Sequence, residues 1–261
     1  MDKKLIEKLN EEINKNNPEE IISTLTSLSN TLLYLNPDEI ATIELDHAVS
    51  SIIPIIPDNL KKPFYKLMPS LLVAIKEPRL LYTHLIKETG IHVCECLFHL
   101  SKEFNVEVPN LHNKILMALN AELLEEEGRY TLTFLINTMN DRSLCMEIIQ
   151  RIIKRLCELA LEVSSQSALD ILHTVLIIMQ IHPTCFKMAQ PISYKEPRSD
   201  LSFFQPYLFE LDILYSSLDP LKNIIKRIRS ASKKYDLDLI FNQPFPTLTQ
   251  NGRQLEEGRS K

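Results

Sequence analysis

The residues best suited to chemistry are His92, Cys96 and His99, which recur at helical spacing. On a helix this spacing puts two imidazoles and one thiol on the same face, and zinc binds both groups well. A single helix supplies only three ligands, however, and no second cluster in the sequence has ligand spacing. We therefore interpret the three residues as part of a packed helix, and we predict no metal and no cofactor.

A cysteine and a histidine could also form a nucleophile and its base. The chain has only 4 glycines, whereas oxyanion holes and phosphate loops commonly use glycine for their tight backbone turns. The carboxylate run of residues 125–127 is expected to be a solvated helix end, because neighbouring acids on a helix point in different directions. The sequence thus predicts a protein that is not an enzyme and has no catalytic residue.

A basic stripe near the C-terminus is the most site-like feature of the sequence. Four cations share one face of a predicted helix: Lys222, Lys226, Arg229 and Lys233. This stripe is either the ordinary solvated side of an amphipathic helix or a set of contacts for RNA phosphates or an acidic partner. A second, smaller basic patch has the same two interpretations and consists of Arg151, Lys154 and Arg155.

The composition limits these interpretations. The 261 residues carry a net charge of −5, which is unlike a protein that binds nucleic acid with its whole surface. Five cysteines, nearly all within helical patterns, indicate buried thiols and a reducing compartment. The longest apolar run, residues 175–181, is far shorter than the ~20 residues that a membrane span requires, so we predict no membrane segment.

Helical periodicity extends through most of the chain, and no stretch shows convincing strand alternation. Prolines followed by acids predict helix starts at Pro18 and Pro37. Pro63 and Pro69 predict a kink or break in one apolar segment. Further helices are predicted over 109–124, 130–139, 165–181 and 220–234, with a linker at 191–200. Paired helices of this kind predict an all-α, HEAT/armadillo-like helical-repeat solenoid.

An ordered set of short motifs resembles the CCAAT-binding-factor-like, nucleolar complex (Noc) family. Phe209-Glu210-Leu211, followed by Leu214 and Pro220, is similar to the family signature, Trp-Glu-Leu with a His-Tyr-His-Pro end. His182-Pro183 resembles a His-Pro-Ser motif. Three further stretches resemble family motifs in order: residues 105–109, 129–135 and 154–161. Phe209 replaces a tryptophan and is expected to remain an aromatic core anchor, while Ser217-Leu218-Asp219 replaces His-Tyr-His.

The resemblance implies a scaffold of the nucleus and nucleolus. It implies binding to a partner of the nucleolar protein fourteen (Nop) family, and action in the small-subunit processome, in pre-rRNA processing within a pre-ribosomal particle. The loss of the signature histidines fits structural positions and a non-enzyme. Two other interpretations remain open: a sister Noc protein in large-subunit assembly, and a general helical-repeat adaptor that binds proteins.

The motifs also suggest a division of the chain. We predict N-terminal helices over residues 1–57, a CCAAT-binding-factor-like helical domain over 58–245, and a polar, disordered tail over 246–261. The N-terminal region is expected to be reduced relative to the family.

Overall fold

The computed structural model describes residues 2–35, 45–141, 144–190, 207–217 and 219–234. Every regular element in these ranges is a helix, so the prediction of an all-α helical-repeat fold is confirmed. The chain forms two compact units, residues 1–138 and 139–261. The predicted domain at 58–245 and the linker at 191–200 stay predictions, and the linker and the tail at 246–261 lie outside the described residues.

The first unit stacks helices in two layers. Odd-numbered helices pack on one another in sequence (α1 on α3, α3 on α5), and even-numbered helices do the same (α2 on α4, α4 on α6). This alternation is typical of helical repeats, in which each pair buries its apolar face on the next. The helices are α1 Asp2–Lys15, α2 Pro18–Leu32, α3 Asp46–Ile52, α4 Asp58–Leu71, α5 Pro78–Leu85, α6 Ile91–Phe104, α7 Leu111–Ala118 and α8 Ala121–Met139.

The second unit is built around α10, which packs against α9, α12 and both 3-10 helices. Ser164 caps the start of α10 by accepting a hydrogen bond from the Ser167 backbone N–H at 3.3 Å. The described elements are α9 Met146–Leu159, α10 Ser165–Ile181, the 3-10 helix Pro183–Ala189, α11 Glu210–Ser217, the 3-10 helix Asp219–Leu221 and α12 Lys222–Lys234.

Helix α4 continues through both of its prolines, so of the predicted kink or break the break is wrong and the kink stays a prediction. Pro69 has no N–H to donate to the carbonyl of Tyr65, four residues earlier. The thiol of Cys96, on α6, donates to that carbonyl instead, with a sulfur–oxygen distance of 3.6 Å. Proline is thus tolerated inside α4, because a neighbouring helix satisfies the acceptor that it leaves open.

The prediction of one unbroken helix over 109–124 is also wrong. Helix α7 ends at Ala118, and the side chain of Asn120 accepts a hydrogen bond from the Leu123 N–H at 2.8 Å, which caps a new helix. The predicted stop at residues 125–128 is confirmed as a kink, because α8 consists of two helical segments that meet at Glu127. The backbone of Glu127 is non-helical, with φ −133° and ψ 27°.

Candidate functional site

Two of the family-like segments meet in the second unit. Lys154 lies on α9, and Glu210 is the first residue of α11. The Lys154 ammonium forms an ion pair with Glu210 and lies 3.3 Å from the Tyr207 carbonyl oxygen. The Glu210 side chain is fully buried, whereas Lys154 is 23% exposed. The pair therefore fixes the start of α11 onto α9.

Phe209 covers this ion pair from the outside. Its ring centroid lies 4.1 Å from the Lys154 ammonium, a cation–π arrangement. The ring is 51% exposed, so the expectation of a core anchor is wrong. The flanking Leu208 and Leu211 are fully buried and fill the core in its place.

Replacing the exposed ring should therefore cost little stability. We expect Phe209→Ala to lower the free energy of unfolding by about 1 kcal/mol, the value of one partly exposed cation–π contact. Leu208→Ala, the matched control in the preceding position, should cost about 2–5 kcal/mol because it opens a cavity. Urea unfolding of both variants tests this, and equal losses would contradict it.

The remaining motif residues lie at helix ends and at contacts between helices. His182 is buried, and its Nε2 lies 2.6 Å from the Met139 carbonyl oxygen. Pro183 begins the 3-10 helix that follows α10, and Pro220 lies in the 3-10 helix that precedes α12. At the end of α6, Asn105 adopts a left-handed conformation with φ 54°, which asparagine tolerates better than most residues. These positions hold the helices in place.

The structure divides the basic stripe of α12 into two kinds of cation. Lys222 pairs with Asp219 at 2.5 Å, and Arg229 pairs with Asp212. Both cations also lie within 6 Å of the Tyr215 ring centroid. Lys226 and Lys233 are exposed and have no acidic partner among the described residues. Only the second kind is available to a ligand without breaking an existing ion pair.

The second predicted basic patch is neutralised by nearby acids. Arg151 pairs with Glu147 at 2.7 Å, Arg155 lies 3.7 Å from Glu158, and Lys154 holds Glu210. A ligand phosphate would have to compete with these carboxylates. The patch is thus less suited to RNA than its sequence indicated.

The sequence did not predict a network of charged and polar side chains in the first unit. Glu127 was expected on a solvated helix end, but its side chain is only 10% exposed. Its carboxylate lies 3.0 Å from the Lys62 ammonium, 2.5 Å from that of Lys66 and 2.7 Å from His92 Nε2. The non-helical backbone at Glu127 accompanies this arrangement. Helices α4 and α6 are therefore both joined to α8 through one carboxylate.

Burial and charge act in opposite directions on this network. Burial on its own would raise the pKa of Glu127, but hydrogen bonds from Lys66, Lys62 and His92 together lower it to about 2. Burial lowers the pKa of His92, and the Glu127 carboxylate offsets part of that effect. His92 is therefore neutral near pH 7 and donates its Nε2 proton to Glu127.

His92, Cys96 and His99 do not converge in the structure. His92 faces Glu127, His99 lies 3.0 Å from Glu103, and the Cys96 thiol faces the Tyr65 carbonyl. Burial raises the pKa of Cys96 well above its ordinary value and that of Cys94 to about 12. Both thiols are thus protonated at neutral pH. Cys145 is exposed, so the expectation of buried thiols is wrong for that residue.

No family model matches this chain, and no curated protein matches it either. Among the described helices, none combines the length and the apolar character needed to cross a membrane.

Proposed function

We propose that this chain is a non-enzymatic scaffold in ribosome biogenesis, acting in the nucleolus in small-subunit processome assembly and pre-rRNA processing. The proposal rests on the ordered motifs that resemble the Noc family, and most of all its fourth member. One structural observation supports it: Lys154 and the Phe209-Glu210 pair, which belong to two separate motifs, contact each other. Such a contact gives both motifs a shared physical role.

The fold offers a way to perform this function. Stacked helices present a large surface on a fixed backbone, and such surfaces bind partners without chemistry. The ion pair of Lys154 and Glu210 holds the signature segment in one position. We propose that the partner is a protein of the nucleolar protein fourteen (Nop) family within the pre-ribosomal particle. RNA would be at most a secondary contact, through Lys226 and Lys233.

Affinity purification of the tagged full chain from its own cells tests the proposal, with both proteins and RNA identified. We expect a Nop-type protein and small-subunit precursor RNA in the purified material. The matched control is the Lys154→Glu variant, in which two negative charges meet and the signature segment is displaced. We expect that variant to lose the Nop-type protein.

Other outcomes would overturn the proposal. Large-subunit assembly factors in the purified material would assign the chain to a sister Noc protein. Cytoplasmic proteins without precursor RNA would indicate a general helical-repeat adaptor. Depletion of the chain separates the two Noc alternatives independently. Loss of a small-subunit factor and loss of a large-subunit factor block the maturation of different rRNA precursors.

A further inference from the structure

A groove in the second unit lies between α10, α12 and the 3-10 helix Pro183–Ala189. Its volume is about 410 Å³, within the range of sites that hold small ligands or side chains. Leu176 and Phe186 supply apolar walls, and both are largely buried. Ala231 adds a small side chain that leaves room. Gln180 and Ser230 add polar side chains, so the groove has a small apolar floor with room for one apolar side chain above it.

Two adjacent cations, Lys226 and Arg227, also line the groove. Both are exposed, and neither has an acidic partner within the described part of the chain. Their neighbours on α12 differ, because Lys222 and Arg229 each hold an aspartate. No acid among the described residues therefore compensates the positive charge at the groove, in a chain whose net charge is −5.

The combination of charge and apolar surface distinguishes between ligand classes. RNA binding uses a track of cations along the backbone and exposed aromatic rings for base stacking. The groove has only two cations, and its one aromatic ring, that of Phe186, is 1% exposed. A peptide with acidic residues around an apolar side chain matches both parts, since carboxylates pair with the cations while the apolar group fills the interior.

We propose that the groove formed by Leu176, Phe186, Lys226, Arg227 and Ala231 binds a short acidic peptide segment of a protein partner, anchored by one apolar side chain. This inference rests on the proposed function only in requiring a protein partner. It names the surface and the chemistry that the partner would use.

Fluorescence anisotropy with the full chain tests the groove directly. The probe is a labelled synthetic peptide of aspartate and glutamate residues around a central phenylalanine and leucine. We expect Lys226→Glu to weaken binding by roughly tenfold or more, because repulsion replaces attraction at the groove. Lys233→Glu makes the same charge change on the same helix outside the groove. We expect less than about a twofold effect, because the altered charge is farther from the bound peptide and is screened over that distance.

A second variant tests the apolar part without changing any charge. Ala231→Leu narrows the groove and should weaken the peptide by roughly fivefold or more, since the anchor loses its space. Circular dichroism verifies that each variant remains folded. A peptide in which alanines replace the phenylalanine and leucine should bind the unaltered chain as weakly as the full peptide binds Ala231→Leu.

Three results would overturn the inference. Equal losses for Lys226→Glu and Lys233→Glu would mean non-specific attraction to a basic helix. An unchanged affinity for Ala231→Leu would place the peptide elsewhere. Tighter binding of labelled oligouridine RNA than of the peptide would assign the cations to RNA. The anisotropy assay uses no pre-ribosomal component. The peptide can therefore bind the groove even if the purification contradicts the proposed function, and the purification can support the proposed function even if the peptide does not bind.

Discussion

Lys154→Ala should lower the free energy of unfolding by about 3 kcal/mol. The substitution leaves the fully buried Glu210 carboxylate without its cation, and an unpaired buried charge typically costs about 3–5 kcal/mol. The lower end applies because Lys154 is itself 23% exposed, so water can reach part of the vacated space. The variant also loses the cation–π contact with Phe209. Urea unfolding at neutral pH measures the loss.

Two matched variants separate this ion pair from general effects on α9. Arg151→Ala removes a cation from the same helix whose partner, Glu147, is exposed, so it should cost less than about 1 kcal/mol. The double variant Lys154→Met/Glu210→Leu removes both charges and should recover most of the loss. If the double variant is less stable than Lys154→Ala, the ion pair does not hold α11 onto α9.

Helix existence and order were predictable from the sequence because they depend on local signals. Proline with following acids located the start of α2, and periodic apolar residues located α10 with both of its ends. The failures have a different origin. Helix α4 continues past Pro69 to Leu71, and the thiol of Cys96, on another helix, replaces the missing donor. A partner so distant in sequence cannot be read from local pattern.

The candidate site was predictable only in part, because the burial of its residues depends on partners that are distant in sequence. The motif residues were identified, but their burial was not: Phe209 is exposed, whereas Glu210 is fully buried. Hydrophobicity alone would bury Phe209 and expose Glu210. Lys154 reverses this arrangement, because its ammonium compensates the Glu210 charge in the interior and contacts the Phe209 ring at the surface.

Glu127→Gln should lower the free energy of unfolding by about 2 kcal/mol at pH 7, and that loss should shrink as the solution is acidified. The folded chain holds the pKa of Glu127 at about 2, against an ordinary value of 4.5. The difference is worth about 3 kcal/mol, and we take about 2 kcal/mol because the partner lysines, Lys62 and Lys66, are half-exposed and screened.

The sign follows from proton binding. Between pH 4.5 and about 2, residue 127 is protonated in the unfolded chain but stays deprotonated in the folded chain. Acidification over this range therefore favours unfolding. The stabilisation is complete above pH 4.5 and disappears as the pH approaches 2. His92 acts in the same direction at higher pH, because burial lowers its pKa below 6.5 and its protonation also favours the unfolded chain.

Urea unfolding of the unaltered chain and of Glu127→Gln, from pH 7 down to pH 3, measures the effect. The control is Glu126→Gln, the adjacent carboxylate that contacts the same Lys62 at 3.0 Å but is 55% exposed. It should cost less than about 1 kcal/mol at every pH. If the loss in Glu127→Gln stays constant over this range, residue 127 acts through packing and its charge does not join the three helices. If the loss narrows below pH 4.5 while that of Glu126→Gln stays small, one buried carboxylate holds α4 and α6 against α8.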